Sequence, residues 1–210
     1  NSLKNKGITA LNYGRIRDED GRAPFVRSMS EIAGNQSIAI AMECLNSFSD
    51  GQGYSLGGVT GVPPAEVVIL GAGTVGTVAA RIAVAMGAKI KVFDSSMTRM
   101  QRLREQIGHD VFTCTLQPQI ISKALSECQV AIGAMRPVNG RNLIVVSEEM
   151  VSSMKTNSII VDVSIDNGGC FETSEVRSLE SPLYRKKGVI HFSVPNIASR
   201  VARTASFALN

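Results

Sequence analysis

The sequence predicts an α/β fold, a doubly wound parallel sheet with helices on both faces. Short, β-branched apolar runs alternate with helical patterns from Val67 onward, which is typical of strands joined by helices. These runs are continuously hydrophobic, as expected for parallel strands that are covered on both faces. The predicted strands span residues 67–70, 89–94, 111–115, 130–133, 158–163 and 189–194. The predicted helices between them span residues 74–86, 96–107, 117–126 and 147–154.

A glycine-rich turn, Gly71-Ala-Gly-Thr-Val-Gly76, joins the first of these strands to a helical pattern. The first glycine permits a tight turn, the second leaves room for a pyrophosphate, and the third lets the helix pack closely on the sheet. The free N–H groups at the start of the helix attract anionic phosphates. The residues that this turn offers to a cofactor are Gly71, Gly73, Thr74, Val75 and Gly76.

A carboxylate ends the second predicted strand, eighteen residues after the turn (94 − 76). A strand, a glycine turn, a helix and a second strand ending in an acid form the fingerprint of a Rossmann-type dinucleotide-binding unit. Asp94 is expected to accept hydrogen bonds from the adenosine ribose, and its charge favours NAD over NADP. Ser95 would help to close the adenosine pocket. The alternative is that Asp94 only stabilises the turn after the strand.

The composition argues against several other classes of protein. The net charge is +4, but Lys and Arg are scattered and Trp is absent, so no nucleic-acid surface is expected. No apolar stretch approaches the roughly 20 residues that cross a bilayer, and the first residues lack the apolar core of a secretory signal. The four cysteines show no C-x-x-C spacing, which indicates neither a metal site nor a disulfide framework. We therefore expect a cytoplasmic protein without a membrane or nucleic-acid partner.

Four segments resemble the alanine dehydrogenase/pyridine nucleotide transhydrogenase family, and the resemblance runs from about Gly7 to the end. The motif Ile165-Asp-Asn-Gly-Gly-Cys-Phe-Glu-Thr173 is more similar to alanine dehydrogenase than to the transhydrogenase α subunit. The four segments are residues 27–34, 56–65, 161–173 and 194–196.

The resemblance implies the NAD-binding domain of an enzyme that deaminates L-alanine oxidatively to pyruvate and ammonia. The family forms homo-oligomers (hexamers), and its substrate-binding Arg, catalytic Lys and catalytic His precede this domain. None of those motifs is found here, so the chain is expected to bind NAD but not to turn over alanine. The alternatives are the NAD-binding α-subunit domain of a proton-translocating transhydrogenase and a non-enzymatic NAD-sensing module.

The resemblance also implies short remnants of a second, substrate domain at both ends of the chain. Residues 1–27 would be such a remnant with its connection, residues 28–199 the Rossmann domain, and residues 200–210 the start of a truncated return helix. The first boundary depends on Ser28-Met-Ser-Glu31, a capping-box pattern that predicts a helix from Ser28 to about Phe48. Residues 8–12 are predicted to form a strand.

Three further site residues follow from the resemblance. Asp166 matches a family aspartate near the nicotinamide ribose and the substrate, with a catalytic part in proton transfer; its alternative is a carboxylate that stabilises the following Gly-Gly turn. Ser30 matches a serine near the cofactor pyrophosphate, or else acts in the first turn of a helix. Asn196 would contact the nicotinamide carboxamide.

Three other polar residues near these motifs are given different interpretations. Arg136 lies in a loop that is more apolar in the family, and it could meet a phosphate or only solvent. Asp162 and His191 lie inside predicted strands, where a structural carboxylate and a hydrogen-bonded core histidine are expected.

Overall fold

The computed structural model describes residues 2–108, 111–137 and 142–210, without the side chains of Ser2 and Lys4. Seven strands form one sheet in the order β3-β2-β1-β4-β5-β7-β6, and only the β6–β7 pair is antiparallel within this part of the chain. The predicted doubly wound α/β fold is confirmed. The strands are β1 (Glu66–Leu70), β2 (Lys89–Phe93), β3 (Phe112–Cys114), β4 (Val130–Gly133), β5 (Ile159–Asp162), β6 (Leu183–Lys186) and β7 (Val189–Phe192).

Seven α-helices are found in the described ranges, and the four predicted between strands are among them. The helices are α1 (Ser2–Asn5), α2 (Pro24–Leu45), α3 (Thr74–Ala85), α4 (Met97–Ile107), α5 (Pro118–Glu127), α6 (Glu148–Ser152) and α7 (Ala202–Phe207). None of them is both long enough and apolar enough to cross a bilayer.

The two faces of the sheet support two separate hydrophobic clusters. In β1, Val67 and Ile69 belong to the cluster under α2 and α3, whereas Val68 and Leu70 belong to the one under α5 and α6. All four side chains are fully buried. Alternate side chains of a strand point to opposite faces, so burial on both sides requires the unbroken apolar run seen in the sequence.

The order of the strands reverses direction beside β1. From β1 the sheet extends to β2 and β3 on one side and to β4, β5 and β7 on the other. The loops that follow β1 and β4 therefore lead to opposite faces and leave a crevice at the carboxyl ends of these strands. Ligands of open α/β sheets bind at such a switch point.

The predicted capping box at Ser28 is wrong, because α2 begins four residues earlier. Pro24 occupies the start of the helix, where its missing N–H costs nothing. Ser28 Oγ donates to the Pro24 carbonyl at 3.1 Å, and Glu31 forms an ion pair with Arg27 at 2.9 Å. The helix also ends at Leu45, before the predicted Phe48.

The structure corrects two further predictions at the edges of the fold. Residues 8–12 form no strand, and a 3-10 turn, Tyr13–Arg15, follows them. Strand β6 was not predicted, because its sequence Leu183-Tyr-Arg-Lys186 is charged, as suits an exposed edge. Lys187 and Gly188 both have positive φ, 53° and 77°, and connect β6 to β7 in a tight hairpin.

Candidate functional site

The glycine turn (residues 71–76) contains two glycines that the fold itself requires. Gly71 has a φ of +110°, which residues with a Cβ rarely adopt. A Cβ on Gly71 would also overlap the Ala134 carbonyl oxygen, and one on Gly76 would overlap the Gly71 carbonyl oxygen. These two positions therefore need glycine whether or not a ligand is bound.

Gly73 differs from the other two glycines of the turn. Its φ is −77°, and a Cβ there would meet no atom within 4 Å. The described protein gives no steric reason for a glycine at this position, and the space beside it is open. The first-turn N–H groups of α3, at Thr74, Val75 and Gly76, have no partner within the helix by α-helical geometry. A pyrophosphate approaching Gly73 would meet these donors, so the turn fits a dinucleotide.

Asp94 is buried and directed at the glycine turn. Its Oδ2 accepts the Ala72 N–H at 2.6 Å, and its Oδ1 accepts the Ser96 N–H at 2.7 Å. Arg99 Nη1 lies 3.5 Å from Oδ2, and Ser95 is exposed beside the carboxylate. Asp94 thus stabilises the turns after β1 and β2, as the alternative interpretation requires, and its contact with a ribose stays a prediction.

A cavity of about 540 Å³ lies beside the switch point. It is lined by α2, the first turn of α3 and the loops that follow β4, β5 and β7, together with Tyr13, Gly14 and Leu209. Four of the predicted site residues share it: Ser30, Val75, Asp166 and Asn196. The other predicted residues lie outside its lining: Gly71, Gly73, Thr74, Gly76, Asp94 and Ser95.

Asp166 connects the loops after β5 and β7. It is exposed in a 3-10 turn, Val163–Asn167, and its Oδ1 accepts the backbone N–H of Asn196 at 2.9 Å. Asn196 has left-handed backbone angles (φ 52°, ψ 49°), which Asn tolerates better than most residues. The predicted nicotinamide contact and the predicted catalytic carboxylate are therefore hydrogen-bonded neighbours.

Ser30 lies in the second turn of α2, so the alternative role in a first turn is wrong. Its Oγ donates to the Val26 carbonyl at 2.7 Å and accepts from Arg136 Nη2 at 2.7 Å. Arg136 follows β4 and is exposed at the cavity. The sequence did not suggest this pair, whose members are 106 residues apart.

Asp162 is a buried carboxylate below the cavity, and its predicted structural role is confirmed. Its Oδ1 accepts the Ser164 N–H at 3.0 Å, and its Oδ2 accepts the Cys170 N–H at 2.9 Å and the Ser174 hydroxyl at 2.6 Å. Burial raises the pKa of Asp162, and these hydrogen bonds partly oppose that shift. Asp162 thereby closes the Asp166 turn (residues 163–169) at its base.

Three of the four cysteines lie in the buried environment expected of unreactive thiols. Cys44, Cys128 and Cys170 are buried, whereas Cys114 is half-buried. Burial raises the pKa of Cys44 to about 11 and that of Cys128 to about 12, so both stay protonated at neutral pH. Among the described residues, no group of three or more His, Cys, Asp or Glu side chains could hold a metal ion.

His191 is the hydrogen-bonded core histidine that the sequence indicated. The ring is fully buried, its Nδ1 lies 3.0 Å from the Val189 carbonyl, and its Nε2 lies 2.8 Å from Thr173 Oγ1. A carbonyl only accepts, so Nδ1 donates and Nε2 accepts from the threonine hydroxyl. Tyr184 stacks on the ring with 4.9 Å between centroids. Burial lowers the pKa of His191 to about 4.

His191 should make the stability of the fold fall at acidic pH. Because its pKa is lower in the folded state, its contribution is complete above about pH 6.5 and is lost as the pH falls toward 4. Between about pH 7.5 and pH 5 the loss amounts to about 2 kcal/mol. Urea unfolding over this range should show a flatter pH profile for His191→Gln. Thr173→Val, which leaves the histidine in place, should retain the slope. Parallel profiles for His191→Gln and the wild type would contradict this assignment.

The comparison with known families identifies the chain. The family described as "Alanine dehydrogenase/PNT, C-terminal domain" matches residues 37–210, which include the glycine turn and the Asp166 turn. The chain belongs to this family.

Relatives named alanine dehydrogenase match along the whole chain. The alanine dehydrogenase of Methanococcus maripaludis is 43% identical over 99% of this chain and 56% of its own length. The Bacillus subtilis alanine dehydrogenase is 38% identical over 99% of this chain and 55% of its own length. The chain therefore spans little more than half the length of these relatives.

Solved structures agree with this family assignment. An L-alanine dehydrogenase structure superposes with a TM-score of 0.93 at 39% identity, covering 99% of this chain and 58% of that one. A transhydrogenase from Sinorhizobium meliloti superposes with a TM-score of 0.82 at 21% identity, covering 96% of this chain and 58% of that one. At this lower identity, the second comparison shows a shared fold and no more.

Proposed function

We propose that this chain is the NAD-binding part of an alanine dehydrogenase. The observation that carries the proposal is the cavity at the switch point, where the first turn of α3, Ser30, Asp166 and Asn196 meet. Its position at the carboxyl ends of the strands is where dinucleotides bind in open α/β sheets. The alanine dehydrogenases that match the whole chain at 35–43% identity support the choice of enzyme.

The residues of the site would contact three parts of the dinucleotide. The glycine turn and Ser30 would hold the pyrophosphate, and Asp94 with Ser95 would lie at the adenosine ribose. Asn196 would bind the carboxamide at the nicotinamide end. NAD supplies the carbon that accepts a hydride, so the task of the chain is to orient that carbon.

Asp166 would act at the nicotinamide end as the group that holds or transfers a proton. It is exposed at the cavity, so a water molecule or an amine can reach its carboxylate. Its hydrogen bond from the Asn196 N–H holds the carboxylate in position. A carboxylate oriented in this way can accept a proton from the water that converts an imine to a ketone.

The proposed reaction is oxidation of L-alanine to pyruvate and ammonia. The family resemblance assigns amino-acid recognition to motifs that are not found in these 210 residues. We therefore propose that the chain alone binds NAD without turning over alanine, and that it belongs to a cytoplasmic homo-oligomer. The transhydrogenase alternative is less well supported, because its structural relative is only 21% identical.

Titration of the purified chain with NADH and NADPH tests the cofactor proposal. NADH should bind at least about tenfold more tightly, because the 2′-phosphate of NADPH would lie against the Asp94 carboxylate. Fluorescence of the bound nicotinamide gives both dissociation constants. Equal affinities, or no binding of either nucleotide, would overturn the argument from Asp94. Formation of NADH from L-alanine by a full-length protein that contains this chain tests the proposed reaction.

A further inference from the structure

Arg136 is the only basic residue among those that line the cavity in the described structure. Apolar side chains such as Phe25, Met29 and Val163 make up most of the lining, and Asp166 is the one acidic residue among the described lining residues. The guanidinium donates from Nη2 to Ser30 Oγ at 2.7 Å. None of the ion pairs found within residues 2–108, 111–137 and 142–210 includes Arg136.

The contacts of α2 locate the Arg136 guanidinium relative to the glycine turn. Ser30 and Gly34 are four residues apart, so they lie on the same face of α2, about 6 Å apart along its axis. Gly34 packs against the first turn of α3, since a Cβ there would lie 2.5 Å from the Val75 carbonyl oxygen. Arg136 is therefore held at a residue of α2 that lies about one turn from the contact between Gly34 and the first turn of α3.

A ligand that fills this cavity would remove water from the guanidinium. Removing a cation from water without supplying a counter-ion costs free energy. A ligand that binds tightly must therefore offer the guanidinium an anionic group. The two phosphates are the only anionic groups of NAD. Arginine also suits them sterically, because its planar fork can donate two parallel hydrogen bonds to one phosphate.

We propose that Arg136, held by Ser30, binds a phosphate of the dinucleotide on the α2 side of the cavity. This inference rests on the proposed function and adds a charged ligand to the neutral donors of the glycine turn. A carboxylate of a small acid could supply the same chemistry. Ser30 lies one turn of α2 from Gly34, which packs against Val75 in the first turn of α3, and this position favours the phosphate.

Calorimetric titration can distinguish a phosphate ligand from a carboxylate ligand. The three probes are inorganic pyrophosphate, NADH and pyruvate. Arg136→Gln should weaken the binding of both pyrophosphate and NADH about tenfold, the effect of losing one charge-assisted pair. Arg136→Lys should recover part of the loss, because it keeps the charge without the fork. Arg102→Gln, at an exposed arginine of α4, is the matched control and should bind like the wild type. Arg136 is exposed, so thermal unfolding of its variants should match that of the wild type.

The outcomes separate this inference from the proposed function. Tight NADH binding that is unchanged in Arg136→Gln would overturn the role of Arg136 and leave the proposed function standing. Weakened pyruvate binding with unchanged pyrophosphate binding would also overturn it, in favour of a carboxylate. A wild type that binds neither NADH nor pyrophosphate would overturn both proposals. Pyrophosphate binding that depends on Arg136, without NADH binding, would support the anion site and contradict the proposed function.

Discussion

Gly76→Ala is expected to destabilise the fold and abolish dinucleotide binding, whereas Gly73→Ala should abolish tight binding alone. A Cβ on Gly76 would overlap the Gly71 carbonyl oxygen, so α3 would have to move away from the end of β1. Backbone atoms in a packed interior cannot give way cheaply, and overpacking of this kind costs about 1–3 kcal/mol or more. At Gly73 the Cβ meets nothing within 4 Å and φ is −77°, so alanine fits the free protein.

These two variants distinguish a glycine that the folded protein requires from one that only the bound cofactor requires. Thermal unfolding should show a lower Tm for Gly76→Ala and an unchanged Tm for Gly73→Ala. NADH titration should show at least a tenfold weaker affinity for both, equivalent to about 1.4 kcal/mol or more. If Gly73→Ala bound NADH as tightly as the wild type, the cofactor would not pass over Gly73. An unchanged Tm for Gly76→Ala would contradict the steric argument.

Asp162→Ala is expected to lower the free energy of unfolding by about 3 kcal/mol or more. The change leaves three donors unpaired, the buried N–H groups of Ser164 and Cys170 and the half-buried hydroxyl of Ser174, at about 1–3 kcal/mol for each buried donor. Relief of the buried charge offsets part of this loss. The Asp166 turn should lose its fixed conformation, and with it the position of Asp166 at the cavity.

The pH dependence of this variant follows from the raised pKa of Asp162. Since folding raises its pKa, protonated Asp162 stabilises the fold at acidic pH, and this contribution is lost as the pH rises through the folded-state pKa. The difference in unfolding free energy between wild type and Asp162→Ala should therefore be largest at acidic pH. Urea unfolding at several pH values measures it. Ser174→Ala, which removes one donor of the three, is the control and should cost about 1 kcal/mol. A loss below 1 kcal/mol for Asp162→Ala would contradict the role given to this network.

The interior strands β1, β4, β5 and β7 could be predicted because each is a mostly apolar run buried on both faces. Residues 130–133 form β4 as predicted, and the ends of the other predicted strands differ by one or two residues. The edge strand β6 has no such apolar run, because two of its four residues are charged. Its pairing with β7 depends instead on a turn of two positive-φ residues. The start of α2 differs from the prediction because a capping box is only a local pattern of four residues. The helix instead begins at Pro24.

The candidate site could be predicted only in part. The glycine turn follows from backbone sterics, and the resemblance indicated Ser30, Asp166 and Asn196, which the fold then brings to one cavity. Arg136 could not be assigned from the sequence. Its partner Ser30 is 106 residues away, and their contact exists only because α2 packs across the switch point.

The sequence by itself determined the alternation of strands and helices from β1 to β5 and the need for Gly71 and Gly76 in the turn after β1. These features depend on hydrophobic periodicity and on backbone sterics, which act over a few residues. Only the tertiary structure decided where the charged groups point. Asp94 is directed at the Ala72 N–H, Arg136 at Ser30, and Asp162 at the base of the Asp166 turn. A buried or confined charge takes the orientation that satisfies its hydrogen bonds, and packing alone brings its partners from distant parts of the chain.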